Sequence, residues 1–322
     1  MHIRTHRRNL LAGSLGIAIA STRLGSQVAA GSADHSPSGI LVQQLAPDWQ
    51  AVAQALGAPG QLMAGDVFRV GMARSDIKAS VKNVPLLPAF ALGSYAAFKQ
   101  MGSQTMVMGD LVLLDEEVNP VMSGLFETGF SISGLHNHLN QMIPHVMYMH
   151  YMGMGDPLQL AKDLRQALSA SATPLGDVAA ATPQAAATPT TDLPVDQIGQ
   201  VLGYKTKVAK GGVVQVSVPR AETIKEGDVE LLPSMGVATA LNFQPIAGGQ
   251  AAITGDFVLI STEVNPVAQA LRKNGVDVMA LHNHHLGENP RLFYMHFFAT
   301  GDPAQLAKTL RTAIDQTNSK PG

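Results

Sequence analysis

The chain has 322 residues, 46% hydrophobic and 14% charged, enough apolar side chain for two domains with sizeable cores and too much for a disordered chain. Cysteine is absent, which excludes disulfide frameworks, thiolate nucleophiles, zinc–cysteine fingers and iron–sulfur clusters. Lys and Arg number 22 against 24 Asp and Glu, and no dense basic run follows the first ten residues, so the expected partner is a small molecule or a metal ion and not a nucleic acid.

In chain order, residues 1–30 come first. The pair Arg7-Arg8, an apolar stretch from Leu10 to Ala20, and then small residues resemble a twin-arginine export signal. The stretch is too short for a transmembrane anchor. The expected location is therefore periplasmic or secreted. Losing residues 1–30 removes Arg4, Arg7, Arg8 and Arg23 and no acid, leaving a mildly acidic mature chain.

The remainder repeats itself at an offset of 146. GDLVLLDEEVNPV at 109–121 returns as GDFVLISTEVNPV at 255–267, LHNHL at 135–139 as LHNHH at 281–285, and GDPLQLAKDLRQAL at 155–168 as GDPAQLAKTLRTAI at 301–314. A period this long implies two copies of a whole domain, at 45–170 and 192–316, joined by an Ala/Thr/Pro-rich linker at 171–191 that reads as a semi-extended spacer.

Within the first copy a helix is expected near 47–56, followed by strands at VFRVGMA and VMGDLVLL. Asn119-Pro120 offers a cap and a first helical residue for a helix over 120–128 that Gly129 stops. Strands near 131–139 and 145–152 follow, and Asp156-Pro157 caps a last helix with Leu158, Ala161, Leu164 and Leu168 on one face. The expected class is α+β: two homologous domains, each a mainly antiparallel sheet with helices packed on it.

Histidines carry the chemical signal. His136 and His138 leave the same face of a strand, and a hairpin centred on Pro144 sets His138 opposite His150. His282, His284 and His296 repeat the pattern around Pro290. Three imidazoles converging in each copy form the ligand set of an open metal site, for which Zn2+ is the first expectation and another divalent transition metal the second. The alternative is a hydrogen-bonded histidine network without metal. With the linker between them, the two sites are expected to be separate. His145 and His285 are not matched between copies and fall outside the set.

Glu117 and Glu263, in EVNPV, stand as candidate catalytic acid/base groups or extra ligands, with a helix-dipole role as the alternative. Asp110 and Asp256 read as turn residues at a strand start. Arg74 and Arg220 recur as anion-binding or solvated edge residues. Nine of the 15 methionines fall between Met101 and Met154, but Met106, Met108 and Met152 become Ala252, Thr254 and Phe298 in the second copy, which favours core filling over copper binding.

The EVNPV, LHNHL, Tyr148-Met149-His150 and GDP blocks, twice in this order behind an export signal, resemble the LppY/LpqO family of exported bacterial proteins, whose function is uncharacterised. The paired-strand histidines are also similar to the zinc site of acetolactate decarboxylase and its relatives. That resemblance implies His136, His138 and His150 as ligands and Glu117 as an assisting carboxylate. Three classes of function follow: a metal-dependent lyase or hydrolase on a small oxygenated substrate, a non-catalytic metal- or ligand-binding module, or a structural protein whose histidines only hydrogen-bond.

Overall fold

The structure is a computed structural model and describes residues 47–178 and 189–322. The export segment at 1–30 lies outside the described residues, as does the middle of the linker, 179–188.

The first repeat runs α1 (Trp49–Leu56), β1 (Gly60–Met63), β2 (Val67–Ala73), β3 (Ser80–Val81), β4 (Val84–Pro85), α2 (Pro88–Ala91), β5 (Gly93–Met101), β6 (Gln104–Leu114), α3 (Asp115–Glu127), β7 (Ser131–His136), β8 (Met142–Ile143), β9 (Val146–Gly155) and α4 (Pro157–Leu168). The second runs α5 (Val195–Leu202), β10 (Thr206–Val208), β11 (Val214–Pro219), β12 (Ile224–Glu226), β13 (Val229–Leu231), β14 (Ala238–Ile246), β15 (Gln250–Leu259), α6 (Val264–Lys273), β16 (Asp277–His282), β17 (Glu288–Asn289), β18 (Phe293–Gly301) and α7 (Pro303–Ile314). Each repeat builds a six-stranded antiparallel sheet, ordered β1-β2-β5-β6-β9-β7 and β10-β11-β14-β15-β18-β16. Each adds a three-stranded sheet, β4-β3-β8 or β13-β12-β17. The fold is α+β in both repeats.

Alternation along the strands decides the layering. In β6 and β9, Val107, Leu111, Leu113, Met149 and Tyr151 face the helices of their own repeat, packing with Leu56, Val121, Leu125 and Leu164. The opposite face packs on the other repeat. Val112 and Tyr148 share a core with Ala252, Met279 and Phe298, and Met106 and Met108 share one with Ile224, Met235 and Tyr294. The sheets therefore lie face to face with helices outside them. Polar contacts cross between them: the Leu87 amide donates to Gln244 Oε1 at 2.8 Å, and Gln244 Nε2 donates to the Pro85 carbonyl at 2.7 Å. Both repeats belong to one compact unit.

Two local expectations are corrected. The helix expected from Asn119 begins at Asp115, and Pro120 lies inside it. Its first turn is closed by Glu117, which accepts the Leu114 amide at 2.9 Å, as Glu263 accepts the Ile260 amide at 2.9 Å in the second repeat. The β7–β9 pairing is shifted by four from a hairpin about Pro144: Gly134 faces His150, and His136 faces Tyr148. The connection is no tight turn, because β8 leaves it to pair with β3. Asp156 caps α4 as expected, accepting the Gln159 amide at 2.9 Å, and Asp302 caps α7.

Candidate metal centre

The β6–β9 ladder puts Asp110 on the site. It pairs across the ladder with His150, as Asp256 does with His296, so each carboxylate and imidazole leave the inner face side by side. His138 lies past the end of β7, in the connection, and returns over Asp110 with its Nε2 3.9 Å from Oδ2. His150 Nε2 is 4.0 Å from Oδ1 of the same carboxylate. In the second repeat, His284 and His296 each place Nε2 3.7 Å from Asp256.

Because the inner faces meet, the two histidine triplets form one assembly, which corrects the expectation of two separate sites. His136 stacks on His282 with ring centroids 3.4 Å apart, His138 on His296 at 3.7 Å, and His150 on His284 at 3.7 Å. Tyr148 lies against the outer side of His138 and Tyr294 against that of His284, both at 3.4 Å. Three groups of ligand atoms converge, each with its atoms within 4.8 Å of one another: Asp110, His138 and His150; Asp256, His284 and His296; and His136, His138, His282 and His284 at the centre. His136 and His150 also approach through their Nε2 atoms at 2.8 Å.

Glycine makes this geometry possible. A Cβ on Gly109 would fall 2.0 Å from the Tyr95 carbonyl oxygen, and one on Gly255 1.9 Å from that of Ala240. Only glycine lets the neighbouring strand approach this closely beside the aspartate.

Burial dominates the electrostatics. It pushes the Asp110 and Asp256 carboxyls well above the usual carboxylate range, opposed at Asp110 by Arg69 and reinforced at Asp256 by Asp110. It pulls His138, His150, His284 and His296 well below the ordinary imidazole value, and neighbouring imidazoles add to the effect. His136 falls to about 4 and His282 to about 3 by the same desolvation. His296 Nδ1 donates to the Gly255 carbonyl at 2.9 Å, which leaves its Nε2 lone pair facing Asp256, the tautomer a metal ligand needs.

Several buried atoms here have no hydrogen-bond partner: Asp110 Oδ1, Asp256 Oδ1, the Nε2 atoms of His138, His284 and His296, and both ring nitrogens of His282. Ligand atoms around an ion at ~2.0–2.2 Å lie about 3–3.5 Å apart. Separations of 3.7–4.0 Å between carboxylate and imidazole are therefore within a small ring movement of coordination. The histidine and aspartate groups can hold a metal ion.

Glu117 and Glu263 are placed elsewhere. The Glu117 carboxylate takes two hydrogen bonds from the buried Arg74, at 2.6 and 3.0 Å, and the amides of Leu114 and Ala172 at 2.9 and 2.7 Å. Glu263 does the same with Arg220, Ile260 and Asn318. Neither belongs to a converging group, because its lone pairs are already committed to holding helix, strand and chain end together. Nor are Arg74 and Arg220 edge residues: both are buried, and each is shared with a second carboxylate, Asp76 or Glu222.

The aspartates were the residues that sequence reasoning missed. Their signal was a lone charge inside an apolar strand, at the same place in both copies.

A family model described as Domain of Unknown Function (DUF1259) matches residues 50–170 and again 196–316. No curated protein matches the chain. Among solved structures it is similar to PduB, a trimeric bacterial microcompartment shell protein, at 13% identity over 81% of this chain and 91% of that one, with a TM-score of 0.20. It is similar also to EtuB from Clostridium kluyveri, at 9% identity over 80% of this chain and 91% of that one, with a TM-score of 0.19. Likeness at that level carries no argument about fold or assembly.

Proposed function

Since the chain belongs to the DUF1259 family and carries its domain twice, we propose that it is an exported protein holding two divalent transition-metal ions between its repeats. One ion takes Asp110, His138 and His150, the other Asp256, His284 and His296. The single observation that supports this reading is the set of buried, unpartnered ligand atoms on five of those six residues, all but His150, whose Nε2 meets His136 Nε2. Each such atom costs on the order of 1–3 kcal/mol if left unsatisfied, and a hydrogen-bonded histidine network does not leave so many. A cation satisfies the lone pairs and supplies the countercharge that burial denies the carboxylates.

Two lateral ions fit better than one ion among the four central histidines, because a central ion leaves both aspartates unserved. The donor set of two imidazoles and one carboxylate suits zinc, and manganese or iron as well. A bound ion of this kind polarises a carbonyl or lowers the pKa of a water. The protein's own part is to set ligand direction, through the Gly255 carbonyl on His296 and the tyrosines stacked on His138 and His284, and to exclude bulk water.

A cavity of about 50 Å³ reaches His150 and His284. It gives a small oxygenated molecule access to both sites, as a metal-dependent lyase or hydrolase and a ligand-binding module alike require. Elemental analysis of protein loaded with zinc and desalted should give about two ions per chain, with about one lost in Asp110→Asn and about one in Asp256→Asn. Absence of retained metal in the wild type removes the reading, and a carbonyl and ester panel separates enzyme from binding module. Export follows from the basic and apolar segment at 1–30; N-terminal sequencing of the extracytoplasmic protein should find those residues gone, and a sequence starting at Met1 contradicts it.

A further inference from the structure

Beside the histidines, one buried apolar cluster of the first repeat is polar in the second. In the first repeat, Val81, Leu139 and Met142 are buried and pack with Phe90, Met279 and Phe298 into a solid apolar core. Sheet register and the repeat offset place Glu226, His285 and Glu288 at the corresponding positions of the second repeat. Met235, Ser133 and Met152 stand where Phe90, Met279 and Phe298 stand on the other side. There the core is replaced by a cavity of about 50 Å³, lined by Glu226, His285 and Ser133 together with His150 and His284, and opening past the exposed Ser131 and Leu286.

Three polar atoms of that lining are buried without a partner: His284 Nε2, which the metal reading uses, and His285 Nε2 and Glu226 Oε2, which it does not. His285 itself is only 6% exposed. Replacing three core side chains by a histidine and two glutamates costs stability wherever their polar atoms stay unsatisfied. Glu288 is accounted for, since it accepts the Leu292 amide at 2.9 Å and pairs with Arg291 at 3.0 Å. Glu226 accepts the Gly287 amide at 3.1 Å with one oxygen only. Nothing comparable satisfies its other oxygen or the ring nitrogen of His285.

We propose that this cavity, walled by Glu226 and His285 of the second repeat and by Ser133 and His150 of the first, binds a small neutral molecule bearing a hydroxyl group with a second hydroxyl or a carbonyl oxygen beside it, a vicinal diol or a short hydroxycarbonyl compound. A carboxylate oxygen accepts only, so the ligand donates to Glu226 Oε2. His285 Nε2 takes or gives a second bond according to its tautomer. A cavity of about 50 Å³ holds ~3–4 water-sized groups, which limits the ligand to a few heavy atoms. Glu226 disfavours an anion. The ligand lies against His150 and His284, one from each proposed metal site, so the two sites are open to it from the same side. For that last consequence the inference rests on the metal reading; for the binding itself it does not.

The test uses the full chain, with and without zinc, and follows ethane-1,2-diol and glycolaldehyde by ligand-observed NMR with acetate as a control of similar size. The wild type should bind the diol or the hydroxycarbonyl about tenfold or more tightly than acetate. Glu226→Val and His285→Leu, which restore the residues of the first repeat, should each weaken binding by about tenfold while leaving zinc content unchanged and unfolding cooperative, with a midpoint no lower than that of the wild type. Equal binding in the variants, or none in the wild type with and without zinc, overturns the proposal. Binding by a wild type that retains no metal sustains the pocket and removes the metal reading, so the two fail separately.

Discussion

Glu117→Gln separates the two roles open to the EVNPV glutamate. In the structure Arg74 is fully buried and keeps Asp76 at 2.8 Å and the Val112 carbonyl at 2.8 Å after the substitution, but it loses the charge of Glu117 at 2.6 Å. Removing one partner of a buried pair costs about 3–5 kcal/mol. The retained Asp76, itself 29% exposed, holds the expected value near the lower limit, about 3 kcal/mol. That corresponds to a Tm lower by roughly 5 °C in a unit of this size. Burial works to raise the Glu117 pKa, but hydrogen bonds from Arg74, Ala172 and Leu114 outweigh it and hold the carboxyl below its ordinary value. Its stabilisation is therefore complete above the unfolded value of about 4.3 and is lost as pH falls through the lower folded value. Urea unfolding between pH 3 and pH 7 should show the wild type losing part of its advantage over Glu117→Gln at the acid end, with metal content equal in both. A variant as stable as wild type that has lost its metal refutes the reasoning and restores the glutamate to the metal site.

His138→Ala removes a ligand in one repeat and the ring that stacks on His296 of the other at 3.7 Å; elemental analysis at limiting zinc should show both sites weakened, and loss from one site with the other unchanged contradicts a joined assembly. Gly255→Ala puts a methyl group 1.9 Å from the Ala240 carbonyl oxygen, so it should cost about 1–3 kcal/mol in denaturant unfolding and lower zinc retention by displacing Asp256; an unchanged midpoint would show that β14 and β15 can part freely.

The duplication, the six histidines and the capped helices α4 and α7 were legible because each rests on local signals: a repeated string, a period of two, an Asp-Pro start. The β7–β9 register was not. It depends on where residues 137–145 go, and they go to β3, which lies some sixty residues earlier in the chain. Asp110 reads from the sequence as a turn residue at a strand start, whereas glycine here serves the close approach of β5 and the aspartate points between the sheets. Face-to-face packing had a signal in VMGDLVLL, which is apolar on both faces as strands buried on both sides are. The Arg74–Glu117 pair recurs at the same separation as Arg220–Glu263, and that paired recurrence is the sequence signal of a structural ion pair.

Anomalous diffraction at the zinc edge, on crystals of the zinc-loaded full chain, tests the metal centre most directly. Two peaks are expected between the sheets, one bounded by Asp110, His138 and His150 and the other by Asp256, His284 and His296, each ~2.0–2.2 Å from its ligand atoms. A single peak among His136, His138, His282 and His284, or no peak between the sheets, contradicts the account.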